Sequence, residues 1–398
     1  MGVNPPPSDP SVPRVVQSLV GVFHHFELAR ELNSRGHLER IYSTYHWGRL
    51  QREGLPRDLV RTFPLIHPAH MLLGRYGMNP PPVIDRALIW ANLVLFDTWV
   101  SRQVPPCDAF VGLSCCGLRT GTKVQRRGGK YICDRGSSHI RYQDRILSEE
   151  YKLWGCDARV VCDPRIVRQE EAEYAQADAI TVPSEFVRRS FVEMGVPESK
   201  IYKIPYGVNL ARFSPVEPPP QDSFEVLFAG QVGYRKGIPY LLQAFERFRH
   251  PRKRLRIVGG ILKEIRPYLE KHLPDRVEIL GHVPQAELKR IMSGSHVMVL
   301  PSIEEGLALV QGQAMACGCP LISSTNTGGS DLFTPGVEGF EVPIRSAEAI
   351  AERLQQLADD PQLQQRMSTA ALERVKALGG WHDYGETYLN LLKKLVSA

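Results

Sequence analysis

The chain has 398 residues, of which 43% are hydrophobic and 23% are charged, and its formal net charge at pH 7 is +6. This length suits two domains of ordinary size, each with its own core, and the composition is that of a globular protein. The mild positive charge suits an anionic ligand or an acidic membrane surface. It falls short of the basic stripe of a nucleic-acid binder, so we expect no nucleic-acid partner.

The N-terminal sequence MGVNPPPSDPSVP predicts a disordered, Pro-rich tail over residues 1–13, because it has neither the basic nor the apolar part of a secretion signal. The longest mostly apolar run, Ala87 to Phe96, is far shorter than the ~20 residues of a membrane span. The eight cysteines show no CxxC pair and no zinc-type spacing. We therefore expect reduced thiols in a cytoplasmic protein without a transmembrane helix.

From Arg14 the chain reads as a strand, a glycine, a helix and a second strand, which is a βαβ unit. Gly21 ends the first strand, where it serves either a close approach to a ligand or a tight turn. His24 and His25 begin the helix. We keep open the alternative that one of them faces a cleft.

The region from 50 to 103 is less regular and rich in proline, and we expect an acceptor-specific insertion there. Within this region, residues 83–100 are predicted to form a helix that packs in a core, and a helix on a membrane surface is the alternative. Strands are predicted at 109–113, 130–133 and 179–182, and a helix at 118–127. Asp163 and Ser184 are expected to cap two further helices.

A Pro-rich stretch predicts a linker over residues 209–223, and beyond it strands and helices alternate regularly. Such alternation predicts a doubly wound parallel sheet. The first strand of this second half is followed by AGQVGYRKG. A basic run at 250–256, HPRKRLR, is either a contact to acidic lipid or a solvated loop.

The most informative stretch is HVMVLPSIEEGLALVQGQAMACGCP, from His296 to Pro320. It reads as a strand, a loop with Glu304, Glu305 and Gly306, and a helix that begins near Leu307. In parallel sheets the loops at the carboxyl ends of strands bind ligands, and a helix start binds anions through its free N–H groups. The stretch therefore predicts a site that holds a hydroxyl-rich ligand together with a phosphate.

This stretch resembles the signature of family 4 glycosyltransferases, retaining enzymes with the GT-B fold whose hallmark is two glutamates separated by seven residues. Glu305 matches the first, whereas Gln313 replaces the second. The resemblance implies an α/β protein with two Rossmann-like, doubly wound parallel-sheet domains that face a cleft. These are an N-terminal acceptor-binding domain (14–208), the linker, a nucleotide-sugar-binding domain (224–378) and a helix (379–398) that crosses back to the first domain.

The resemblance also assigns roles to individual residues. Glu305 contacts the transferred sugar, and Gln313 contacts the ribose by neutral hydrogen bonds in place of charge-assisted ones. Lys236 and Arg235 neutralise the donor diphosphate, with Gln231 where the family usually has an arginine. The remaining donor-binding residues are Gly230, Gly306, Leu307, Ala308 and Leu309. On the acceptor side, His139 is expected in the cleft as a catalytic residue, with a capping or structural histidine as the alternative. Asp134 competes with it for the polar role beside the acceptor, and Gly21 is expected in a cleft loop.

The sequence therefore predicts a retaining, metal-independent glycosyltransferase that uses a nucleotide-sugar as substrate and needs no cofactor. Its acceptor is not identified, and peripheral contact with the inner membrane face remains open. Three competing functions share the fold: a nucleotide-sugar epimerase, a glycosyl phosphorylase, and a catalytically weak binding subunit. The phosphorylase lacks the signature of a pyridoxal lysine, whereas Gln231 and Gln313 favour the binding subunit.

Overall fold

A computed structural model describes residues 13–75, 80–156, 161–207 and 212–397. Residues 1–12 of the predicted tail and 209–211 of the predicted linker lie outside this range. Within it, the strands form two sheets, in which every pairing between strands is parallel.

The first sheet has seven strands in the order β3-β2-β1-β4-β5-β6-β7. These are β1 (Val15–Leu19), β2 (Leu38–Ser43), β3 (Val60–Thr62), β4 (Ala109–Leu113), β5 (Lys130–Asp134), β6 (Ala179–Val182) and β7 (Ile201–Lys203). The second sheet has six strands in the order β10-β9-β8-β11-β12-β13. These are β8 (Phe224–Ala229), β9 (Lys253–Val258), β10 (Val277–Gly281), β11 (Val297–Leu300), β12 (Leu321–Ser324) and β13 (Gly339–Val342).

Helices cover the sheets on both faces. Around the first sheet lie α1 (His25–Ser34), α2 (Trp47–Leu50), α3 (His67–Arg75), α4 (Pro82–Gln103), α5 (Leu118–Gln125), α6 (Ile140–Leu153), α7 (Pro164–Gln176) and α8 (Glu185–Glu193). Around the second lie α9 (Ile238–Arg247), α10 (Arg266–His272), α11 (Gln285–Ser293), α12 (Leu309–Ala316), α13 (Gly329–Leu332), α14 (Ala347–Asp359) and α15 (Pro361–Ala377). The chain returns to the first sheet with α16 (Trp381–Val396).

A strand whose two faces are both covered can be a continuous apolar run. In β11, for example, all four residues of the sequence VMVL are buried. The strand order of the first sheet reverses between β1 and β4, and that of the second between β8 and β11. Ligands of doubly wound sheets bind at such reversal points, so the loops after these four strands are where a site is expected.

Helix α16 packs on the first domain although it follows the second in the chain. Its Tyr384, Tyr388 and Leu392 are buried in one cluster with Leu19 and Phe26 of the first sheet and α1. This confirms the predicted fold, in which a final helix crosses back. The burial of these aromatic side chains ties the two halves of the molecule together.

Several predicted elements agree with the structure to within a residue or two, including β4, β6 and the caps at Asp163 and Ser184. Helix α12 begins at Leu309 and not at Leu307. Helix α4 buries Leu93, Phe96 and Val100 as a core helix would, but its first turns leave Val83 and Ile84 exposed.

All eight cysteines are free thiols, as the sequence predicted. Within the described residues we find no helix with the length and apolar character that a membrane span requires.

Candidate functional site

Two cavities meet where the carboxyl ends of the sheets face each other. The interdomain cavity, of about 640 Å³, lies between the loops after β1, β4 and β5 and the second domain. The second-domain cavity, of about 600 Å³, lies between the loops after β8, β9 and β11. Glu305 and Leu309 line both cavities. The two strand-order reversals have therefore produced adjoining cavities with one carboxylate at their junction.

Glu305 is held at this junction by two cations from the loop after β8. Its Oε2 contacts the Lys236 ammonium, and its Oε1 lies 3.7 Å from Arg235 Nη2. The side chains of Lys236 and Glu305 are 15% and 16% exposed, so they are largely buried yet still open to the cavities. The junction therefore holds two cations and two carboxylates, Glu304 and Glu305, in contact with one another.

Gly237 explains how the loop after β8 comes so close to the loop after β11. It adopts φ 67°, and a Cβ at this position would lie 2.0 Å from the carbonyl oxygen of Pro301. Only glycine fits both conditions. The Ile303 N–H also donates to the Arg235 carbonyl at 2.8 Å. The sequence YRKG thus places its two cations directly beside Glu304 and Glu305.

Glu304 points away from the cavities and joins the two domains. Its fully buried carboxylate accepts hydrogen bonds from the Ser138 N–H (3.0 Å) and hydroxyl (2.8 Å), from Gln143 (2.9 Å) and from Arg235 Nε (3.1 Å). Burial acts to raise the pKa of Glu304, but the Arg235 charge and the Ser138 and Gln143 donors outweigh it and hold that pKa below its usual value. We call this set the Glu304 clasp.

Gly306 lies beside the clasp, at another close approach between the domains. A Cβ on Gly306 would lie 1.7 Å from the Gly136 carbonyl oxygen, and the Gly306 carbonyl accepts from the Ser184 hydroxyl at 2.6 Å. The missing side chain of Gly306 thus lets the backbone of the first domain come close. The role of Gly306 in donor binding stays a prediction.

Five of the nine predicted donor residues line the second-domain cavity, and Arg235 lines the interdomain cavity. These five are Gly230, Gln231, Lys236, Ala308 and Leu309, with Gln231 exposed at the cavity edge, whereas Leu307 lines the interdomain cavity. Helix α12 begins at the cavity wall without a side-chain cap. The Gln311 N–H donates to the Ala308 carbonyl at 3.0 Å, which leaves the N–H groups of Leu309 and Val310 to face an anion. Gln313 is half-buried on α12 and lines neither cavity, so its contact with a ribose remains a prediction.

The histidine that lines the interdomain cavity is His24, which follows β1. Its Nε2 lies 2.6 Å from Asp134 Oδ2, and its ring lies on that of Tyr206, with the centroids 4.3 Å apart. Asp134 is itself buried behind His24, and its Oδ1 accepts from the Thr181 hydroxyl at 2.5 Å. Burial acts to raise the pKa of Asp134, but His24, His25 and Thr181 together lower it to about 2. Asp134 is thus an ionised partner that orients His24.

His139 does not line either cavity, so the expectation that it points into the cleft is wrong. It is the N-cap of α6, where its Nδ1 accepts from the Arg141 N–H at 3.2 Å. Its ring packs between Tyr174 and Phe191, at centroid distances of 4.9 and 5.0 Å. Burial, followed by the Arg135 charge, lowers the pKa of His139 to about 4. Its role is that of a buried helix cap.

Asp134 needs a similar correction, since we expected it beside the acceptor and the structure places it one layer behind. Arg135, the next residue, is the group of this loop that lines the cavity. Its guanidinium donates to Glu170 (3.0 Å), Gln143 (2.9 Å) and the Ser138 carbonyl (3.1 Å). These bonds fix the path of the loop that carries Gly136 to Ser138.

Gly21 forms the tight turn between β1 and α1 that the sequence left open as an alternative. It adopts φ 83°, its N–H donates to the Thr44 hydroxyl at 3.0 Å, and its carbonyl accepts from the Ser43 hydroxyl at 2.7 Å. The turn directs the following residues, including His24, into the interdomain cavity. A contact between Gly21 itself and a ligand stays a prediction.

Among the described residues, two groups bring three metal-type ligand atoms within 4.8 Å of one another. One is His24, His25 and Asp134, and the other is the exposed set His382, Asp383 and Glu386. In the first, Asp134 already bonds His24 directly, which accounts for the arrangement without an ion. The expectation of a metal-independent site remains a prediction.

The buried His25 gives a testable pH dependence. Burial, followed by the nearby His24, lowers the pKa of His25 to about 3. An unfolded chain takes up this proton near pH 6.5, so the contribution of His25 to stability is complete above pH 6.5 and is lost as the pH falls toward 3. Between pH 7 and pH 5, the free energy of unfolding of a His25→Gln variant should therefore fall by about 2 kcal/mol less than that of the wild type.

Urea unfolding of both proteins at pH 7 and pH 5 measures this difference. The control is His272→Gln, which removes an exposed histidine. Equal pH dependence in the wild type and His25→Gln would contradict the burial of a neutral imidazole at this position.

Comparison with known proteins agrees with this geometry. Residues 211–374 match the family model described as glycosyl transferases group 1. The chain is 29% identical over 174 residues to the putative colanic acid biosynthesis glycosyltransferase WcaL of Escherichia coli, covering 41% of this chain and 43% of that protein. It is 26% identical over 239 residues to a GDP-mannose-dependent phosphatidylinositol monomannoside mannosyltransferase of Corynebacterium glutamicum, covering 55% and 62% of the two chains. The chain thus spans about half the length of these curated relatives.

Solved structures extend the similarity to the whole fold. Sucrose-phosphate synthase of Thermosynechococcus elongatus superimposes with a TM-score of 0.72 at 22% identity, over 96% of this chain and 99% of that one. HepE of Anabaena, solved with UDP and glucose, superimposes with a TM-score of 0.69 at 14% identity, over 96% and 100% of the chains. At these identities the similarity concerns the fold alone, and it confirms the predicted GT-B architecture.

Proposed function

The chain carries a glycosyl transferases group 1 domain within a GT-B fold, and from this premise we propose that it is a retaining glycosyltransferase. It moves a sugar from a nucleoside-diphosphate donor to an acceptor hydroxyl. The observation that carries the proposal is the junction of two cavities at one carboxylate, Glu305, which the Lys236 and Arg235 cations hold in place. One cavity takes the donor, the other takes the acceptor, and the transferred sugar crosses at Glu305.

The donor is expected to lie with its nucleoside in the second-domain cavity and its diphosphate beside Lys236 and the start of α12. The diphosphate gains negative charge as its bond to the sugar breaks, and Lys236, Arg235 and the α12 N–H groups stabilise that charge. The acceptor hydroxyl attacks the anomeric carbon from the face that the diphosphate leaves. Its proton passes to the departing phosphate oxygen, so the step needs no base from the protein and no metal.

His24 takes the place that we had expected for His139. It lines the interdomain cavity and is oriented by the Asp134 carboxylate, so we assign it a contact to the transferred sugar or the acceptor. The relatives support the donor class, since one is named as GDP-mannose-dependent and another was solved with UDP. Both guanosine and uridine donors therefore belong in the tests.

Product analysis tests the proposal. The purified protein is incubated with UDP-, GDP-, ADP- and dTDP-sugars and a mixture of sugar and glycolipid acceptors. We expect free nucleoside diphosphate from one donor class, together with a product of unchanged anomeric configuration by NMR. An inverted product would overturn the retaining mechanism, and interconversion of donor sugars would identify an epimerase.

A second candidate, a binding subunit without turnover, has one observation in its favour. Gln231 and Gln313 stand where the resembling family has charged groups, and Gln313 lines neither cavity. This function predicts that a donor stabilises the protein against heat without any release of free nucleoside diphosphate. Turnover in the product analysis separates the two functions directly.

The assignment of His24 leads to a mutational prediction. His24→Ala should lower kcat/KM for the acceptor by ~10–10²-fold, about 1.4–2.7 kcal/mol, because a positioned group at the reacting sugar is lost. Stabilisation by the donor alone should change little, since His24 lies on the side of the interdomain cavity.

The matched control for His24→Ala is His139→Asn, which keeps a side-chain cap on α6. Steady-state kinetics of this variant should match those of the wild type. A loss of activity in His139→Asn as large as that in His24→Ala would contradict the exchange of roles between these two histidines.

A further inference from the structure

A second concave surface, larger than either cavity of the cleft, lies on the first domain. It has a volume of about 870 Å³ and is formed by facing sides of α4, α5 and α7. The helices contribute residues at helical spacing, for example Arg119 and Lys123 from α5 and Arg165 and Arg168 from α7, and Arg126 follows at the C-terminal end of α5. We call this surface the α4-α5-α7 trough. The proposed transferase reaction does not use it.

The charge of the trough is strongly one-sided. Five of its twelve lining residues are cations, and Asp97 is the one carboxylate among them. Asp97 is 1% exposed and already accepts from the Arg119 and Thr120 N–H groups at 2.8 and 3.1 Å. Asp97 also accepts from the Thr120 hydroxyl at 2.7 Å, so its carboxylate oxygens are engaged with the start of α5.

In the part of the chain that the structure describes, most of these cations have no acidic partner. Arg165 pairs with Asp163 at 2.7 Å, and Lys123 donates to the Ser101 carbonyl. Within the described residues, the side chains of Arg119, Arg126 and Arg168 form no ion pair with a carboxylate, and all three are exposed. Like charges gathered without partners repel one another, so a bound anion would stabilise the trough.

The shape of the trough adds selectivity to its charge. Trp90 and Val94 of α4 form an apolar side, and the Arg165 guanidinium lies over the Trp90 ring, 5.7 Å from its centroid. The planar guanidinium of arginine donates two parallel hydrogen bonds to two oxygen atoms of one phosphate, whereas the lysine ammonium acts as a point charge. An anion with phosphate oxygens on one side and an apolar part on the other fits both sides of the trough.

The trough also lies back to back with the interdomain cavity. Gln169 lines the trough, and its Nε2 donates at 2.5 Å to the carbonyl of Cys115, which lines the cavity. One loop, from Ser114 to Leu118, therefore separates the two. Buried Glu173 holds this loop by accepting from the N–H groups of Cys115, Gly117 and Leu118.

From these observations we propose that the α4-α5-α7 trough is a second anion site, separate from the donor site, that binds a phosphate ester through Arg119, Arg126 and Arg168. The phosphate has two chemical sources, an anionic phospholipid headgroup or a water-soluble phosphorylated molecule. The residues that bind it are the same in both cases. The binding test therefore contains one arm for each source.

The test compares two triple variants that remove the same charge. The first is Arg119→Gln with Arg126→Gln and Arg168→Gln in the trough. The control is Arg247→Gln with Arg249→Gln and Lys271→Gln, all exposed on the second domain. Circular dichroism and thermal melting verify that both fold, as expected for exposed side chains. Any anion bound at Lys236 contributes equally to both, so a difference between them reports on the trough alone.

In the first arm, both variants are sedimented with vesicles of phosphatidylcholine alone and with equal parts of phosphatidylcholine and phosphatidylglycerol. In the second, calorimetry measures the binding of inorganic pyrophosphate. A lipid source predicts that the control binds the anionic vesicles ~100-fold more tightly than the trough variant, the loss expected for three cations near an anionic surface. A soluble source predicts a similar difference for pyrophosphate alone. Equal binding by both variants in both arms would overturn the proposal.

Discussion

Replacing Lys236 by alanine is expected to lower kcat by ~10²–10³-fold, or ~2.7–4 kcal/mol, the range seen when a group that stabilises developing charge is removed. Lys236 contacts Glu305 at the junction of the cavities, and its side chain is 15% exposed. In the proposed mechanism the variant lacks one of the two cations that stabilise the leaving diphosphate, whereas Arg235 still lies 3.7 Å from Glu305. The residual activity should therefore exceed that of a protein without either cation.

Two further variants make the Lys236 result specific. Lys236→Arg keeps the charge but places it on a larger, planar group, so we expect partial recovery. Lys271→Ala removes an exposed lysine of the same domain and should leave kcat unchanged. Initial rates of nucleoside-diphosphate release measure all three. A Lys236→Ala protein with the kcat of the wild type would place the diphosphate elsewhere.

Replacing Glu304 by glutamine should open the molecule. The carboxylate is fully buried between the domains, and four donors surround it. A glutamine of similar volume turns an N–H₂ group toward these donors and leaves the Arg235 charge with less compensation. Three of the four bonds, those from Ser138 and Gln143, cross between the domains, and a hydrogen bond to a charged group contributes ~1.5–3 kcal/mol, so we expect a loss of ~3 kcal/mol from the contact between the domains.

A change of ~3 kcal/mol shifts the balance between closed and open domains by more than 100-fold toward the open state. Small-angle X-ray scattering should show a larger radius of gyration for Glu304→Gln, and the activity should fall because Lys236 and Glu305 no longer face the first domain. Glu373→Gln, on the exposed surface of α15, is the control. Scattering curves that coincide for all three proteins would show that the Glu304 clasp does not hold the domains.

The second domain was predictable because its pattern is local. From β8 to β11 each strand is followed by a loop and a helix, and strand order in such a unit follows from the handedness of the connections. The site loop shares this property. Glu305, Lys236 and Gly237 come from two short segments whose positions relative to adjacent strands the sequence already indicates.

The first-domain side of the site was harder to predict because its contacts join distant parts of the chain. His24 and Asp134 are 110 residues apart, and Glu304 and Ser138 are 166 residues apart. A histidine after a strand points into a cleft only if the loop continues in that direction. Here Arg135 bonds the Ser138 carbonyl and turns the loop back, so His139 caps a helix.

The available signal for the cleft histidine was the pair His24-His25 directly after the first strand. Adjacent residues at a helix start face different directions, so one of two neighbouring histidines enters the cavity and the other is buried in the core. Glu304 and Glu305 follow the same rule, since Glu304 points toward the first domain and Glu305 points toward the cavities. The sequence shows such pairs, but the choice between their members depends on the packing of the other domain.

A crystal structure of the protein with a nucleotide-sugar from the donor panel tests the central claim most directly, namely that transfer occurs at the junction of the two cavities. We expect the nucleoside in the second-domain cavity, the diphosphate within hydrogen-bond distance of Lys236 Nζ, and the sugar between Glu305 and His24. A donor whose diphosphate lies away from Lys236, with its sugar remote from Glu305, would contradict that claim.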